Sequence, residues 1–348
     1  MGSDATRMAR GRQTRWERRR AESGYVLLIV IGTLAVISFV AMRFAERIDE
    51  LRHSARSFTE LAAARTQASG AAAAALYWMA TRPIMAIGHG DGALSLKEDG
   101  RLYRGDNGAW LSVQDVRGLL SLNALDAQAT LNLLVQDGLE LERASAYLDI
   151  LQDYRDADDL KRLNGAERED YARQGLPPPR NDWLLSSREL ELMPLWRDDP
   201  ARIARLSRLL SVVGSSSFNP ATAPIEILKA IFPQANAGQI DLLLTLRKGE
   251  QLINAAMASH VTGLQLDREG YWFAPSGETR ITAWASGMPR ALEYNARLTP
   301  AGESAPWIIM ELHSASRITP PNEPNAAPVF PLALAPSAAT VAASATAP

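Results

Sequence analysis

The pattern of apolar and polar residues changes abruptly at Gly24. Residues 25–42 read YVLLIVIGTLAVISFVAM and carry no charge. As a helix, a run of this length spans roughly 27 Å, which is enough to cross the hydrocarbon core of a bilayer. Beyond it the apolar residues recur at steps of three and four, typical of an amphipathic helix: Phe44, Ile48, Leu51, Ala55, Phe58 and Ala62. The pattern predicts one continuous helix that reaches about Thr81 and ends before Pro83.

The remaining chain alternates between strand and helix patterns. Glycines at 88–92 predict a turn, followed by a hairpin of two short strands at 94–97 and 101–103. Helical periodicity then dominates from about Ser112 to Met257, with predicted helices at 124–136, 140–155, 186–196, 199–213, 222–231 and 236–247. Strand patterns return at 270–275, 278–285, 291–298 and 307–313. Strands on both sides of a helical block predict an α+β domain that carries an all-helical insertion.

Charge and composition narrow the classes of protein. The segment before Tyr25 holds seven arginines and three acidic residues, whereas the whole chain has a net charge of −2. The basic side of an apolar segment stays in the cytoplasm, so the rest of the chain is expected outside it. That remainder is mildly acidic, which argues against a nucleic-acid binder. The absence of cysteine excludes disulfides and thiol nucleophiles.

Five segments follow the apolar helix in this order: SLNALDA, YLDILQDYRDADD, GAEREDY, NPATAPIEILKAIF and RITAWASGMPRALEYNARL. Together with Gly24 and the apolar helix, they resemble the protein K family of the type II secretion system, which comprises large minor pseudopilins. The resemblance implies an α+β, pilin-like fold with a long N-terminal transmembrane helix, a small antiparallel sheet and a large inserted all-α domain of the helix-hairpin-helix or SAM-like type. The expected domains are a cleaved basic leader 1–24, a transmembrane part 25–42, a pilin-like domain 43–111 and 258–318, a helical insertion 112–257 and a disordered tail 319–348.

The resemblance also implies processing of the N-terminus. A prepilin peptidase would cut between Gly24 and Tyr25, and the new N-terminus would be methylated. Counted from Tyr25, the fifth residue is Ile29, where most pilins have a glutamate that meets the N-terminus of a neighbouring subunit. A subunit at the tip has no neighbour above it and needs no such charge in lipid. An ordinary membrane anchor, or a signal peptide cleaved near Ala41, is the alternative interpretation.

A dense group of carboxylates is the candidate metal site. Seven acidic residues lie between Asp153 and Asp170, and such a density requires either solvation or a bridging hard cation. The spacing is not that of an EF-hand loop, so a solvated acidic loop stays open as the alternative. The resemblance implies calcium in this region, and the expected ligands are Asp158 and Glu167, followed by Asp156 and Asp159.

The resemblance implies a non-enzymatic assembly protein. It would form the tip of a periplasmic pseudopilus with minor pseudopilins I and J and start its assembly, together with other pseudopilins and the inner-membrane assembly platform. The expected location is the inner membrane of a Gram-negative bacterium, as a single-pass protein with its C-terminal domain in the periplasm.

The alternative function is a membrane-anchored DNA-binding protein of a competence-type uptake system, because residues 219–247 resemble a helix-hairpin-helix. Its hairpin, FPQANAG, lacks the glycine pair of such motifs, and we expect no nucleic-acid binding.

Overall fold

The computed structural model describes residues 10–91, 94–124, 126–213, 217–249, 254–266, 270–302, 305–322 and 327–330, and of residues 10–24 only the backbone helix. The chain forms two compact units, residues 1–62 and 63–348. Helix α1, Arg10–Thr81, contributes to both. It ends two residues before Pro83, as predicted, because proline cannot continue the hydrogen-bond ladder. From Tyr25 onward α1 has the length and apolar composition needed to cross a membrane.

A six-stranded sheet forms the framework of the second unit. Its strands are β4 Asp99–Gly105, β5 Trp110–Asp115, β8 Glu278–Trp284, β9 Ala291–Leu298, β10 Trp307–Ala315 and β11 Val329–Phe330. They lie in the order β10-β9-β8-β5-β4-β11, and every neighbouring pair is antiparallel except β11 with β4. A second, three-stranded antiparallel sheet consists of β1 Ile84–Met85, β2 Gly88–Asp91 and β3 Leu94–Lys97. Helices and a mainly antiparallel sheet together make the chain α+β, as predicted.

A helical segment separates β5 from β8, although these two strands are direct neighbours in the sheet. Its α-helices are α2 Ala127–Gln136, α3 Leu141–Arg155, α4 Arg168–Arg173, α5 Pro200–Leu206, α6 Ile225–Ile231, α7 Ala237–Lys248 and α8 Ala255–Thr262. A 3-10 helix occupies Ser187–Leu192, and the short strands β6 Leu120–Ser121 and β7 Leu210–Ser211 pair in parallel. Trp196 and Tyr147 lie at the centre of its core, with ring centroids 5.0 Å apart.

The boundaries predicted for the insertion differ from the structure. Residue 112 falls inside β5 and residue 257 falls inside α8. The helical segment instead runs between the end of β5 at Asp115 and the start of β8 at Glu278. Periodicity alone missed this because α8 is only eight residues long, which is too short for a clear pattern.

Two predictions for the segment after α1 are wrong. The expected turn at 88–92 contains strand β2, because Gly88 and Gly90 allow β3 to approach closely. A Cβ atom on Gly90 would lie 2.2 Å from the carbonyl oxygen of Leu94. The expected hairpin does not form either, since β3 pairs with β2 while β4 pairs with β5. The strand predicted at 270–275 is reduced to one bridge between Tyr271 and Phe218 among the described residues.

The prediction of a disordered tail over residues 319–348 is wrong for part of that segment. Val329 and Phe330 add a parallel strand to β4, and the side chain of Phe330 is buried. Its ring lies 5.9 Å from that of Trp78 and 6.2 Å from that of Tyr103. The aromatic contacts therefore order a proline-rich stretch that composition alone marks as disordered. Residues 323–326 and 331–348 lie outside the described part of the chain.

Candidate functional site

The acidic cluster, defined as Asp153, Asp156, Asp158, Asp159 and Glu167, lies where α3 ends and α4 begins. Asp153 is in the last turn of α3, Asp156 caps the C-terminus of that helix, and Glu167 immediately precedes α4. Gly165 is required beside the cluster, because a Cβ atom there would lie 1.8 Å from Oδ2 of Asp153. The loop from 156 to 166 thus folds back against the helix that precedes it.

The structure divides the five carboxylates into an inner and an outer group. Asp153 is fully buried, Glu167 is only 7% exposed, and Asp156 is half-buried. Asp158 and Asp159 are exposed. Oδ1 of Asp158 accepts a hydrogen bond from the backbone N–H of Leu160 at 2.8 Å, and Oδ1 of Asp159 accepts one from Nδ2 of Asn181 at 3.2 Å.

Arg162 connects two members of the inner group. Its Nη1 lies 2.6 Å from Oδ1 of Asp153 and also donates to Oδ2 of Asp156. The backbone N–H of Arg162 donates to the other oxygen of Asp153, at 3.2 Å. One guanidinium group therefore balances part of the negative charge that the fold concentrates here.

Glu167 is the unusual member of the cluster. Its side chain faces the backbone N–H of Asp170 in a capping box, but neither carboxylate oxygen makes a hydrogen bond of normal geometry with a described donor, although both are buried. Oδ1 of Asp156, the hydroxyl of Tyr171 and Oδ1 of Asn181 are also buried without a partner. Burial, followed by repulsion from Asp153 and Asp156, raises the pKa of Glu167 to about 7. Burial also raises the pKa of Asp153, against the opposing effect of Arg162.

These donors fit the chemistry of calcium. Calcium takes six to eight oxygen ligands from carboxylates, carbonyls and water in flexible geometry, and every unpartnered atom of the site is an oxygen. Across the described ranges, no three carboxylate or histidine side chains already converge as a metal-binding group. A bound cation would therefore require a small rearrangement of the loop that carries Asp156 and Arg162.

Calcium binding at the acidic cluster stays a prediction, and the burial of its members differs from the order of ligands expected from sequence. Asp158, one of the two first choices, is exposed, whereas Asp153 was not chosen and is central. A signal for Asp153 was available, because it lies among the buried residues Ile150, Leu151 and Tyr154 of α3. A carboxylate within the apolar stripe of a helix is unusual and indicates a specific partner.

The predicted processing site lies inside α1. Gly24 and Tyr25 are consecutive helical residues, and the side chains of Tyr25 and Ile29 are exposed. Cleavage after Gly24 stays a prediction.

In the hairpin between α6 and α7, two backbone N–H groups at the start of α7 that could contact a phosphate are already hydrogen-bonded within the protein. The side chain of Asn236 accepts from the backbone N–H of Gln239, and the side chain of Gln239 accepts from that of Asn236, both at 3.0 Å. Arg247, at the end of α7, points inward and donates to the carbonyl of Ala223 at 2.6 Å. The first turn of α7 and the arginine at its end are thus engaged within the protein, which favours a structural role for the hairpin.

This chain is similar to a known protein family and to a solved structure. Residues 110–215, which include the acidic cluster, match the family described as "Type II secretion system (T2SS), protein K". The chain is similar to a structure described as the GspK-GspI-GspJ complex from the type 2 secretion system of enterotoxigenic Escherichia coli. That likeness has 14% sequence identity and a TM-score of 0.45, and it covers 78% of this chain and 100% of the other. No curated protein matches significantly. The family match over residues 110–215 confirms that this chain resembles protein K of the type II secretion system.

Proposed function

We propose that this protein is the minor pseudopilin that stands at the tip of a type II pseudopilus and starts its assembly with minor pseudopilins I and J. In this role α1 anchors the chain in the inner membrane before assembly, and the second unit lies in the periplasm. Prepilin peptidase cleaves between Gly24 and Tyr25, and the protein has no catalytic activity of its own. Besides the family match, the observation that carries the proposal is an exposed apolar seam on α1 outside the membrane-spanning run.

The seam, defined as Phe44, Ile48, Leu51, Ala55, Phe58 and Ala62, follows the spacing of a coiled coil. Its residues alternate steps of four and three, which is the a and d pattern of a heptad. Phe44, Leu51 and Phe58 occupy the d positions and are 66%, 61% and 73% exposed. None of the six seam residues is buried. The seam is therefore an apolar face that supports packing against a helix of another subunit.

The charged residues that flank the seam indicate what kind of partner helix can pack against it. Arg47 lies at a g position and Arg52 at the next e position, and these positions meet across a parallel pair of helices. A second copy of this chain would bring the two arginines together and be repelled. Each arginine now has only a weak exposed pair within the helix, with Glu50 at 3.5 Å and with Asp49 at 3.6 Å. A partner helix with acidic flanks fits better, so we assign the seam to a different pseudopilin.

Co-purification tests the assignment of the seam. We expect Phe58→Ser, in the full-length chain co-expressed with full-length minor pseudopilins I and J, to lower the recovered complex about tenfold, because a buried aromatic contact is lost. His53→Ser, at the outward f position, is the matched control and should leave recovery unchanged. Equal recovery with both variants would contradict a role for the seam.

Mass spectrometry of the mature N-terminus tests the processing step. Co-expression with prepilin peptidase should yield a chain that begins at Tyr25. A chain that still begins at Met1, or one cut near Ala41, would contradict the pseudopilin proposal. The exposed, uncharged side chain of Ile29 at the fifth mature position supports a place with no subunit above it.

We also propose that the acidic cluster binds calcium as a structural cofactor. The unpartnered oxygens of Glu167, next to the carboxylates of Asp153 and Asp156, carry this proposal. A cation that binds only the folded state raises stability by about 2.7 kcal/mol at a hundredfold excess over its Kd. We expect calcium to raise the melting temperature of the full-length protein above that measured in EDTA. Equal melting temperatures in the two buffers would contradict a calcium site.

A further inference from the structure

We infer that Arg162 is a built-in counter-ion of the acidic cluster, and that it exchanges with the divalent cation. In the chelated protein the guanidinium holds the inner carboxylates together. When the cation enters, the same guanidinium leaves. The inference rests on the calcium site proposed above and adds the residue that sets its affinity.

The contacts of Arg162 place it where a cation would have to bind. A single nitrogen, Nη1, contacts one oxygen of Asp153 and one of Asp156. Bridging two carboxylates through one positively charged centre is also what a metal ion does. The guanidinium and a divalent cation would repel each other in the same few ångströms of a partly buried site. Occupation of this position by one therefore disfavours the other.

Arg162 satisfies only part of the cluster. The guanidinium group of Arg162 makes no hydrogen bond to Oδ1 of Asp156 or to either carboxylate oxygen of Glu167. Two other cations close to the cluster are already committed to Asp170: Nζ of Lys161 lies 3.2 Å from that carboxylate, and Arg173 also contacts it. A divalent ion carries twice the charge of Arg162 and accepts ligands from many directions, so it can engage the oxygens that a planar guanidinium does not reach.

The side chain of Arg162 has a route out of the site. It is 38% exposed, whereas the side chain of Asp153 beneath it is 0% exposed. The guanidinium can turn towards solvent while α3 stays intact, and the backbone N–H of Arg162 can keep its separate contact with Asp153. Exchange therefore requires a side-chain rotation and a small movement of the loop, not unfolding of the helix.

Competition between Arg162 and the cation for the same carboxylates affects both the calcium affinity and the stability of the chelated protein. A site that is closed by its own arginine binds the ion with an apparent Kd equal to the intrinsic Kd divided by the fraction of time that the site is open. Removing the arginine should tighten calcium binding and, in EDTA, should destabilise the fold, because the inner carboxylates then lack a counter-ion. These two effects have opposite signs, which a purely structural arginine would not produce.

The experiment compares the full-length wild type with Arg162→Met in detergent, using calcium chloride as the probe. Isothermal titration measures Kd, and thermal unfolding in EDTA measures the stability of the chelated state. We expect Arg162→Met to bind calcium at least tenfold more tightly and to melt at a lower temperature in EDTA. Arg162→Lys, which keeps the charge without the fork, should fall between the two and provides a folded variant if Arg162→Met does not fold in EDTA.

Arg173→Met is the matched control, since it also removes an arginine that pairs with a carboxylate of this region but is 67% exposed. It should leave calcium affinity unchanged. If Arg162→Met binds calcium with wild-type or weaker affinity, the exchange is wrong while the calcium site stands. If neither wild type nor Arg162→Met responds to calcium, the calcium proposal itself fails, and the exchange fails with it.

Discussion

Two buried carboxylates in the second unit have opposite surroundings. Asp115, at the end of β5, is fully buried and accepts five hydrogen bonds, from the backbone N–H groups of Arg117 and Ser276 and from the side chains of Asn219, Thr222 and Ser276. Glu167, before α4, is almost as buried and faces the backbone N–H of Asp170, yet neither of its oxygens makes a hydrogen bond of normal geometry with a described donor. The protein provides a full set of hydrogen-bond donors for Asp115 and not for Glu167.

The difference separates a structural carboxylate from one that is suited to a ligand. Asp115 connects the sheet to the loop before α6 and to the loop before β8, so its hydrogen bonds hold the helical segment on the sheet. Leaving a buried carboxylate unpaired is costly unless it is protonated or meets a cation. Glu167 is suited to either condition, because burial and the neighbouring carboxylates raise its pKa and so disfavour the charged form without a cation. Four measurements test this difference between Asp115 and Glu167.

Asp115→Ala should have the largest effect. It leaves several buried donors without an acceptor, and each costs about 1–3 kcal/mol, so we expect a loss of at least about 3 kcal/mol in the free energy of unfolding. The loss should be equal in calcium and in EDTA, as measured by urea denaturation. A loss that calcium restores would show that the two carboxylates are not distinct in role.

The pH dependence in EDTA should follow Glu167. Its pKa is about 7 in the folded protein against 4.5 as the ordinary value. Between these values the folded state holds a proton that the unfolded state releases, so stability falls as pH rises through this window. At about 1.4 kcal/mol per pKa unit the full decrease is about 3 kcal/mol. Calcium should remove the decrease, and the same slope in Glu167→Gln would assign it to another group.

Glu167→Gln should remove the calcium response. The neutral amide is a weaker ligand, so we expect the stabilisation by calcium, about 2–3 kcal/mol at saturating ion, to disappear from thermal unfolding. In EDTA above pH 7 the variant should be at least as stable as wild type, because a buried unpaired charge is lost. A variant that is less stable in EDTA would indicate an unseen partner for Glu167.

Asp158→Asn should have the smallest effect. Asp158 is exposed and accepts from one backbone N–H, so calcium affinity should change by less than about threefold, or about 0.6 kcal/mol. Isothermal titration beside Glu167→Gln gives the comparison. An effect equal to that of Glu167→Gln would make Asp158 a direct ligand and would favour the order of ligands expected from sequence.

The sequence predicted the long elements well. Predicted helices at 140–155 and 236–247 correspond to α3 Leu141–Arg155 and α7 Ala237–Lys248, and the strand at 291–298 matches β9. These elements have a clear period and strong ends, such as Asn236 before α7. The short helices α4 and α8 were missed, since one or two turns do not establish a period.

Local spacing and composition were enough to predict the apolar span of α1 and its seam, the α+β class, the resemblance to protein K and the position of the acidic cluster along the chain. Three features came only from tertiary contacts: the pairing of β3 with β2, the strand formed by Val329–Phe330, and the burial of Asp153 while Asp158 is exposed. The reason is the same in all three cases. Burial and hydrogen-bond partners come from residues distant in sequence or from loop geometry, and a linear pattern does not contain them.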